Sequence, residues 1–131
     1  MPFTRISLRE GKSSEYLKAL SDSFHQAMVD TFNVPPTDKF QAIHQHRAEE
    51  LIIDPTYFSD GRSEDFVIFT IAIGKPRDTA TKQAFYKRVV DLLGKSPGIR
   101  PEDVMIVVST STRDDISFSN GDTQMVEGLQ P

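Results

Sequence analysis

The chain opens Met1-Pro2 and runs directly into Phe3-Thr4-Arg5-Ile6-Ser7-Leu8. Cells usually trim an initiator Met that precedes a small residue such as Pro. Trimming would leave Pro2 as a free, ring-constrained secondary amine at the tip of a strand. An α-amine is less basic than a Lys side chain by roughly two to three pKa units. Burial lowers it further, because desolvation disfavours the cation. Such an amine is a general base when neutral. When charged it is a hydrogen-bond donor, and it can also condense with a carbonyl. Many chains begin Met-Pro without consequence, so the rest of the sequence has to support this chemistry.

Other reactive residues are sparse. His44 and His46 stand two apart on a strand-like segment and so share one face. With His25 they invite a metal reading, but no carboxylate ligand falls convincingly beside them. Strand-face or interface histidines are the reading kept, and no metal is expected. Gly11-Lys12-Ser13 and Gly94-Lys95-Ser96 echo the end of a phosphate-binding loop. Both lack the upstream Gly that such a loop needs. The chain has no Cys, which excludes disulfides, thiol catalysis and thiolate metal sites. Its net charge of −4 argues against a nucleic-acid or anionic-membrane partner. No long apolar run or signal-like leader is present, so the expected location is the cytoplasm.

The elements that must position Pro2 follow from periodicity. Residues 3–8 alternate apolar and polar and predict a strand. Ser13 or Ser14 can cap a helix whose apolar face is Leu17, Leu20, Phe24, Ala27, Met28 and Phe32. Pro35-Pro36 stops that helix, and residues 40–46 predict a second strand. Residues 47–65 form the longest connection. The pattern then restarts with an apolar strand at 66–73, a loop at 74–78, and a helix carrying Ala84, Phe85, Val89, Leu92 and Leu93. A fourth strand follows at 104–108.

The two halves superpose at one constant offset, without a gap. Leu20 falls on Phe85, Phe24 on Val89, Ile43 on Val108 and Lys12 on Arg77. Pro36-Thr37-Asp38 falls on Pro101-Glu102-Asp103. The chain therefore predicts one α/β (α+β) domain over residues 1–131. Its pseudo-repeats span about 1–46 and 66–110, and a tail covers 111–131. Each repeat is a βαβ unit with parallel strands. Fused, they give a four-stranded mixed sheet with two helices on one face. The strands at 66–73 and 104–108 offer apolar side chains on both faces, so the uncovered face must be buried elsewhere. Another copy of the chain is the expected cover. Asn120-Gly121 predicts a small hairpin in the tail, reaching a neighbour.

Taken together, these features resemble the tautomerase superfamily, and within it the malonate semialdehyde decarboxylase group. The residues that carry the resemblance are Pro2, Val34-Pro35-Pro36-Thr37-Asp38-Lys39-Phe40-Gln41, Gly74-Lys75-Pro76-Arg77 with Lys82, and Ser117-Phe118-Ser119-Asn120-Gly121. The likeness covers nearly the whole chain. It implies a homotrimer without cofactor or metal, with Pro2, Asp38 and Arg77 as catalytic residues. Lys75, Arg77 and Phe118 would bind a small oxo-acid substrate. Two positions depart from the pattern. Lys75 stands where that group carries a second Arg, and it lacks the planar fork that grips a carboxylate bidentately. Ile116 stands where relatives are often aromatic. The activity implied is decarboxylation of malonate semialdehyde or a similar acid. Keto–enol tautomerisation of a phenylpyruvate-like substrate, or hydration, is open to the same residues. A cytokine-like binding protein on the same scaffold is the alternative from another class.

Overall fold

The computed structural model describes residues 2–131. Strand β1 (Pro2–Arg9) leads into helix α1 (Ser14–Phe32) and strand β2 (Gln41–His46). Strand β3 (Val67–Ile73), helix α2 (Thr79–Lys95) and strand β4 (Val104–Thr110) repeat the unit. A short helix, α3 (Gln124–Glu127), lies in the tail. The sheet order is β2-β1-β3-β4. The outer pairs β1–β2 and β3–β4 are parallel, and the central pair β1–β3 is antiparallel. This is the mixed four-stranded sheet that the repeat predicts.

The repeat offset holds in three dimensions. β1 begins at Pro2 and β3 at Val67; α1 begins at Ser14 and α2 at Thr79. Each helix starts on a side-chain cap at the matching position. Ser13 Oγ accepts from the Tyr16 amide, and Asp78 Oδ1 accepts from the Thr81 amide. α1 ends at Asn33, whose φ of 55 degrees places it in the left-handed region that Asn tolerates.

One face of the sheet packs on the helices. Thr4, Ile6 and Leu8 of β1 and Val67, Phe69, Ile71 and Ile73 of β3 are buried there. They meet Leu20, Phe24 and Met28 of α1 and Phe85, Val89 and Leu93 of α2. Phe24 stacks on Phe69 with ring centres 4.1 Å apart. It also meets Phe85 edge-on, at 5.5 Å, and both are arrangements that aromatic rings favour. The other face is open. It is apolar on one side, where Phe3, Met105 and Val107 are 37%, 41% and 41% exposed. On the other side lie Arg5 and His44, in hydrogen-bond contact at 3.2 Å. His44 and His46 do share this open face, whereas His25 sits on α1 across the sheet. Among the described residues no three potential ligands gather for a metal, and no helix is long and apolar enough to cross a membrane.

The tail corrects one expectation. Asn120 and Gly121 do form a tight turn, both with positive φ. The Asp122 amide closes it on the Ser119 carbonyl. No hairpin follows, because no alternating apolar flanks exist to pair. Instead the Gln124 side chain takes the place of a second strand. Its Oε1 accepts from the Phe118 amide at 2.9 Å, and its Nε2 donates to the Ser119 carbonyl at 2.8 Å.

The connection from β2 to β3 is tied to the second unit by Asp103, which is buried. Burial alone would raise the pKa of this carboxyl. The Ser63 amide and hydroxyl and the Arg100 guanidinium outweigh it and hold the group below its ordinary value. A depressed folded-state pKa stabilises the fold above the unfolded pKa, and that stability is lost as pH falls through the folded value. Asp103→Ala is expected to cost about 2–4 kcal/mol near neutral pH. In urea unfolding, the gap between variant and parent should narrow as the buffer is taken below the usual carboxylate range.

Candidate active site

The antiparallel pairing sets Pro2 opposite Ile73, so the start of β1 lies beside the end of β3. β2 flanks β1 on its other edge, where the Thr4 amide donates to the Phe40 carbonyl at 3.0 Å. Two loops therefore converge on Pro2 from opposite sides: residues 33–40, which carry Asp38, and residues 74–78, which carry Lys75 and Arg77. Pro2 itself is buried.

The Asp38 loop is held from below. His25 is buried on α1, and its Nε2 donates to the Pro36 carbonyl at 2.8 Å. The Asp38 amide turns back onto the Pro35 carbonyl at 2.9 Å. Burial pushes the Asp38 carboxyl above its ordinary pKa, partly offset by the field of His25. Its counterpart in the second unit, Asp103, is shifted the other way by its three donors. The same repeat position thus carries a carboxyl raised by burial in one unit and a carboxyl lowered by its donors in the other.

Arg77 folds back over the C-terminal end of α1. Nη2 donates to the Phe32 carbonyl at 2.8 Å, and Nη1 donates to the Lys75 carbonyl at 2.7 Å. The guanidinium lies over the Phe32 ring at 4.8 Å, a cation–π contact. α1 has no basic residue in its own last turn, so Arg77 supplies the cation that its dipole favours. Burial lowers the Arg77 pKa, but a guanidinium stays charged. Among the described residues no carboxylate neutralises it. Lys75 is exposed on the same loop.

The pseudo-equivalent end of the molecule is different. There Lys12 is paired with Asp65, which raises the Lys12 pKa, in a polar cavity of about 320 Å³. Val67 replaces Pro2. Among the described residues that end has no proline at its strand start, and its lysine is ion-paired.

Next to the Pro2 end lies a larger cavity of about 520 Å³. Asp38 and Phe118 line it, so the structure brings these two expected residues together. Lys75 and Arg77 stand outside its wall. Sequence reading missed Phe40, Gln124, Met125 and Leu129, which also line it. Met125 and Leu129 are four apart around a helical turn, the one signal that could have found them. Phe40 was hidden within a predicted strand.

The family models agree with this geometry. A model described as tautomerase enzyme matches residues 38–119, and a second of the same description matches residues 2–61. The chain belongs to the tautomerase family. It is 36% identical over 127 residues to the probable tautomerase YusQ of Bacillus subtilis, covering 97% of this chain and all of that one. A second Bacillus subtilis protein, the probable tautomerase YrdN, is 31% identical, with 98% of each chain covered. Among solved structures, a malonate semialdehyde decarboxylase with described decarboxylase and hydratase activities superposes with a TM-score of 0.91. It is 33% identical, over 96% of this chain and 97% of that one. The fused 4-OT wild-type symmetric trimer, at 17% identity and TM-score 0.77, shares the fold, over 96% of this chain and 98% of that one. The tautomerase superfamily is thus shown by sequence and by fold, and its enzymes include both decarboxylases and tautomerases.

Because Arg77 caps α1, removing it should loosen this tautomerase fold as well as its site. Arg77→Ala is expected to cost about 1–2 kcal/mol, through the lost carbonyl bonds and ring contact. Lys75→Ala, on an exposed side chain, should stay within about 0.5 kcal/mol. Thermal and urea unfolding of the two variants beside the parent measure the contrast.

Proposed function

We propose that the chain is a cofactor-independent enzyme that uses Pro2, freed by removal of Met1, on a small 3-oxo or 2-oxo acid. Decarboxylation of malonate semialdehyde or a similar acid is the reaction the site supports best. The observation that carries it is that the loops bearing Arg77 and Asp38 flank the start of β1 at Pro2, with no carboxylate on the Arg77 guanidinium among the described residues. The likeness to malonate semialdehyde decarboxylase at 33% identity supports the same reading.

In this reading Arg77 holds the substrate carboxylate and so orients the C–C bond that breaks against the carbonyl π system. Gripping the acid alone would stabilise the ground state, so orientation is its useful contribution. As the bond breaks, its electron pair enters the carbonyl and CO2 leaves. Protonated Pro2 donates its proton to the developing enolate oxygen. The enol then takes a proton from water at carbon and returns the hydroxyl proton to Pro2, which closes the cycle. Ionised Asp38 favours the Pro2 cation, and Lys75 adds a point charge near the acid group.

A second reading rests on the Bacillus subtilis relatives, both named probable tautomerases. Burial of Pro2 favours its neutral form. A neutral Pro2 would move a proton between carbon and oxygen as a general base. Hydration of an activated acid is a further use of the same groups.

The working form is proposed to be a cytoplasmic homotrimer. Support comes from the exposed Phe3, Met105 and Val107 on the open sheet face and from the trimeric fused 4-OT of the same fold.

Pro2→Ala and Arg77→Lys are expected to lower kcat/KM on malonate semialdehyde by at least about 100-fold, roughly 2.7 kcal/mol of transition-state stabilisation. The sample should first be shown by intact mass to lack Met1. Turnover should rise with pH through a pKa above the ordinary aspartate value, and Asp38→Asn should abolish that limb. Activity on both malonate semialdehyde and an enolpyruvate that survives Pro2→Ala would remove the proposal. Sedimentation should give three times the chain mass.

A further inference from the structure

Three residues on one edge of α1 fasten the segment that carries Asp38. Ser21, Asp22 and His25 are one and four residues apart, so their side chains share that edge. They meet the segment in reverse order, because the chain turns back after the helix. The Ser21 hydroxyl donates to the Gln41 side chain, whose Nε2 donates to the Ser21 carbonyl at 3.2 Å. Asp22 accepts from Lys39 Nζ at 2.8 Å. His25 Nε2 donates to the Pro36 carbonyl at 2.8 Å. Asp38 therefore stands between two residues that α1 holds.

These ties are unequal. The Asp22 and Lys39 side chains are 48% and 35% exposed, and Lys18 competes for the same carboxylate. Exposed pairs of this kind contribute little. The Ser21–Gln41 pair lies past Asp38, at the start of β2. His25 alone is buried. Its Nδ1 is buried as well and has no partner among the described residues, so the Pro36 carbonyl is the ring's hydrogen-bond anchor there. The loop cannot supply that bond itself. Pro35 and Pro36 have no amide hydrogen, and the Asp38 and Lys39 amides go to the Pro35 and Thr37 carbonyls.

We infer that His25 is a positioning residue for the proposed reaction: its bond to the Pro36 carbonyl fixes where the Asp38 carboxyl stands beside Pro2, and turnover depends on that bond. This rests on the reading of Pro2 and Asp38 as working together. Buried Val34 pins the start of the segment, and the Thr4 amide pins its end at the Phe40 carbonyl. Between these pins a lost His25 bond would leave Asp38 on a loop held by one exposed ion pair. Arg77 approaches from the opposite edge of β1, so its hold on the substrate acid is independent of His25.

A histidine that merely filled the core would affect stability and spare the chemistry, so the test reads turnover, mobility and rescue together. His25→Leu in the Met1-free chain should lower kcat on malonate semialdehyde at least tenfold and leave KM within about twofold. His25→Gln, whose amide can donate where Nε2 does, should stay within about threefold of the parent. In the Asp38→Asn background, His25→Leu should change kcat less than twofold, since the two residues act through one group. Hydrogen exchange of the amides at 37–40 should quicken at least tenfold in His25→Leu and less than threefold in His25→Gln. Asp22→Asn, at the exposed pair, should match the parent in both measurements. If His25→Leu does not fold, His25→Asn, whose amide is one methylene too short for the carbonyl, takes its place with the same expectations. Parent-like kcat in the Leu variant, a loss that Gln does not rescue, or a full loss on top of Asp38→Asn would overturn the inference. If turnover proves independent of Pro2, the proposed reaction falls, and exchange decides the positioning alone: parent-like exchange in His25→Leu would overturn it, and rescued exchange in His25→Gln would support it.

Discussion

The antiparallel pairing of β1 with β3 is the constraint on which the molecule depends. Each half is a parallel βαβ unit, and a parallel unit alone leaves its two strand starts at one end. Joining the units head to tail puts Pro2 opposite Ile73 and Leu8 opposite Val67. Each end of the sheet then holds the start of one unit and the β-to-α loop of the other. The amino terminus meets the loop carrying Arg77 without any long excursion of the chain. A slip of one residue in this register would turn Pro2 and Thr4 to the open face and Phe3 to the core.

The same pseudo-symmetry shows what specialisation required. At the repeat offset, Lys12 answers Arg77 and Asp103 answers Asp38. Lys12 is neutralised by Asp65, and Asp103 is satisfied by Ser63 and Arg100. These are the contacts expected of residues that hold a fold together. Among the described residues Arg77 is held by two carbonyls and a ring, and the Asp38 carboxyl is pushed up by burial. The two units thus place the same repeat positions in different surroundings. The difference lies in surroundings rather than residue type, which is why a repeat alignment alone cannot reveal it.

Much of the fold was legible in the chain. Alternation marked β1, the three–four spacing from Leu17 to Phe32 marked α1, and Pro35-Pro36 marked its end. The gapless repeat carried the strand order's logic, because each half had to be a parallel unit. The strands at 40–46 and 66–73 each begin one residue later than expected, at Gln41 and Val67, which is the scatter that end effects produce. The tail was not legible. Asn120-Gly121 correctly marks a turn, but the outcome was decided by Gln124, whose amide competes with backbone pairing. Periodicity carries no trace of such a bond. The apolar wall was missed for a related reason. Phe40, Phe118, Met125 and Leu129 come from separate segments, and only the folded chain brings them around one space. Of the expected site, the positions of Pro2 and Asp38 follow from strand order, whereas the posture of Arg77 depends on a helix end that the sequence does not display as a partner.

That posture resolves a tension in the site. In the proposed reaction a cation for the substrate acid must be held in place, yet a carboxylate holding it would also occupy it. Backbone carbonyls avoid this, since they orient a guanidinium without cancelling its charge. The end of α1 supplies such carbonyls at the negative pole of the helix dipole. It can do so because Asn33 turns the chain away in the left-handed conformation and leaves the Phe32 carbonyl open to Arg77. The Phe32 ring then covers one face of the guanidinium, which limits its motion. Shorter by one residue, α1 would present its last carbonyl elsewhere, and the loop after β3 would lose its anchor. Helix length, set by Pro35-Pro36 downstream, is therefore a condition on the proposed chemistry as well as on the packing.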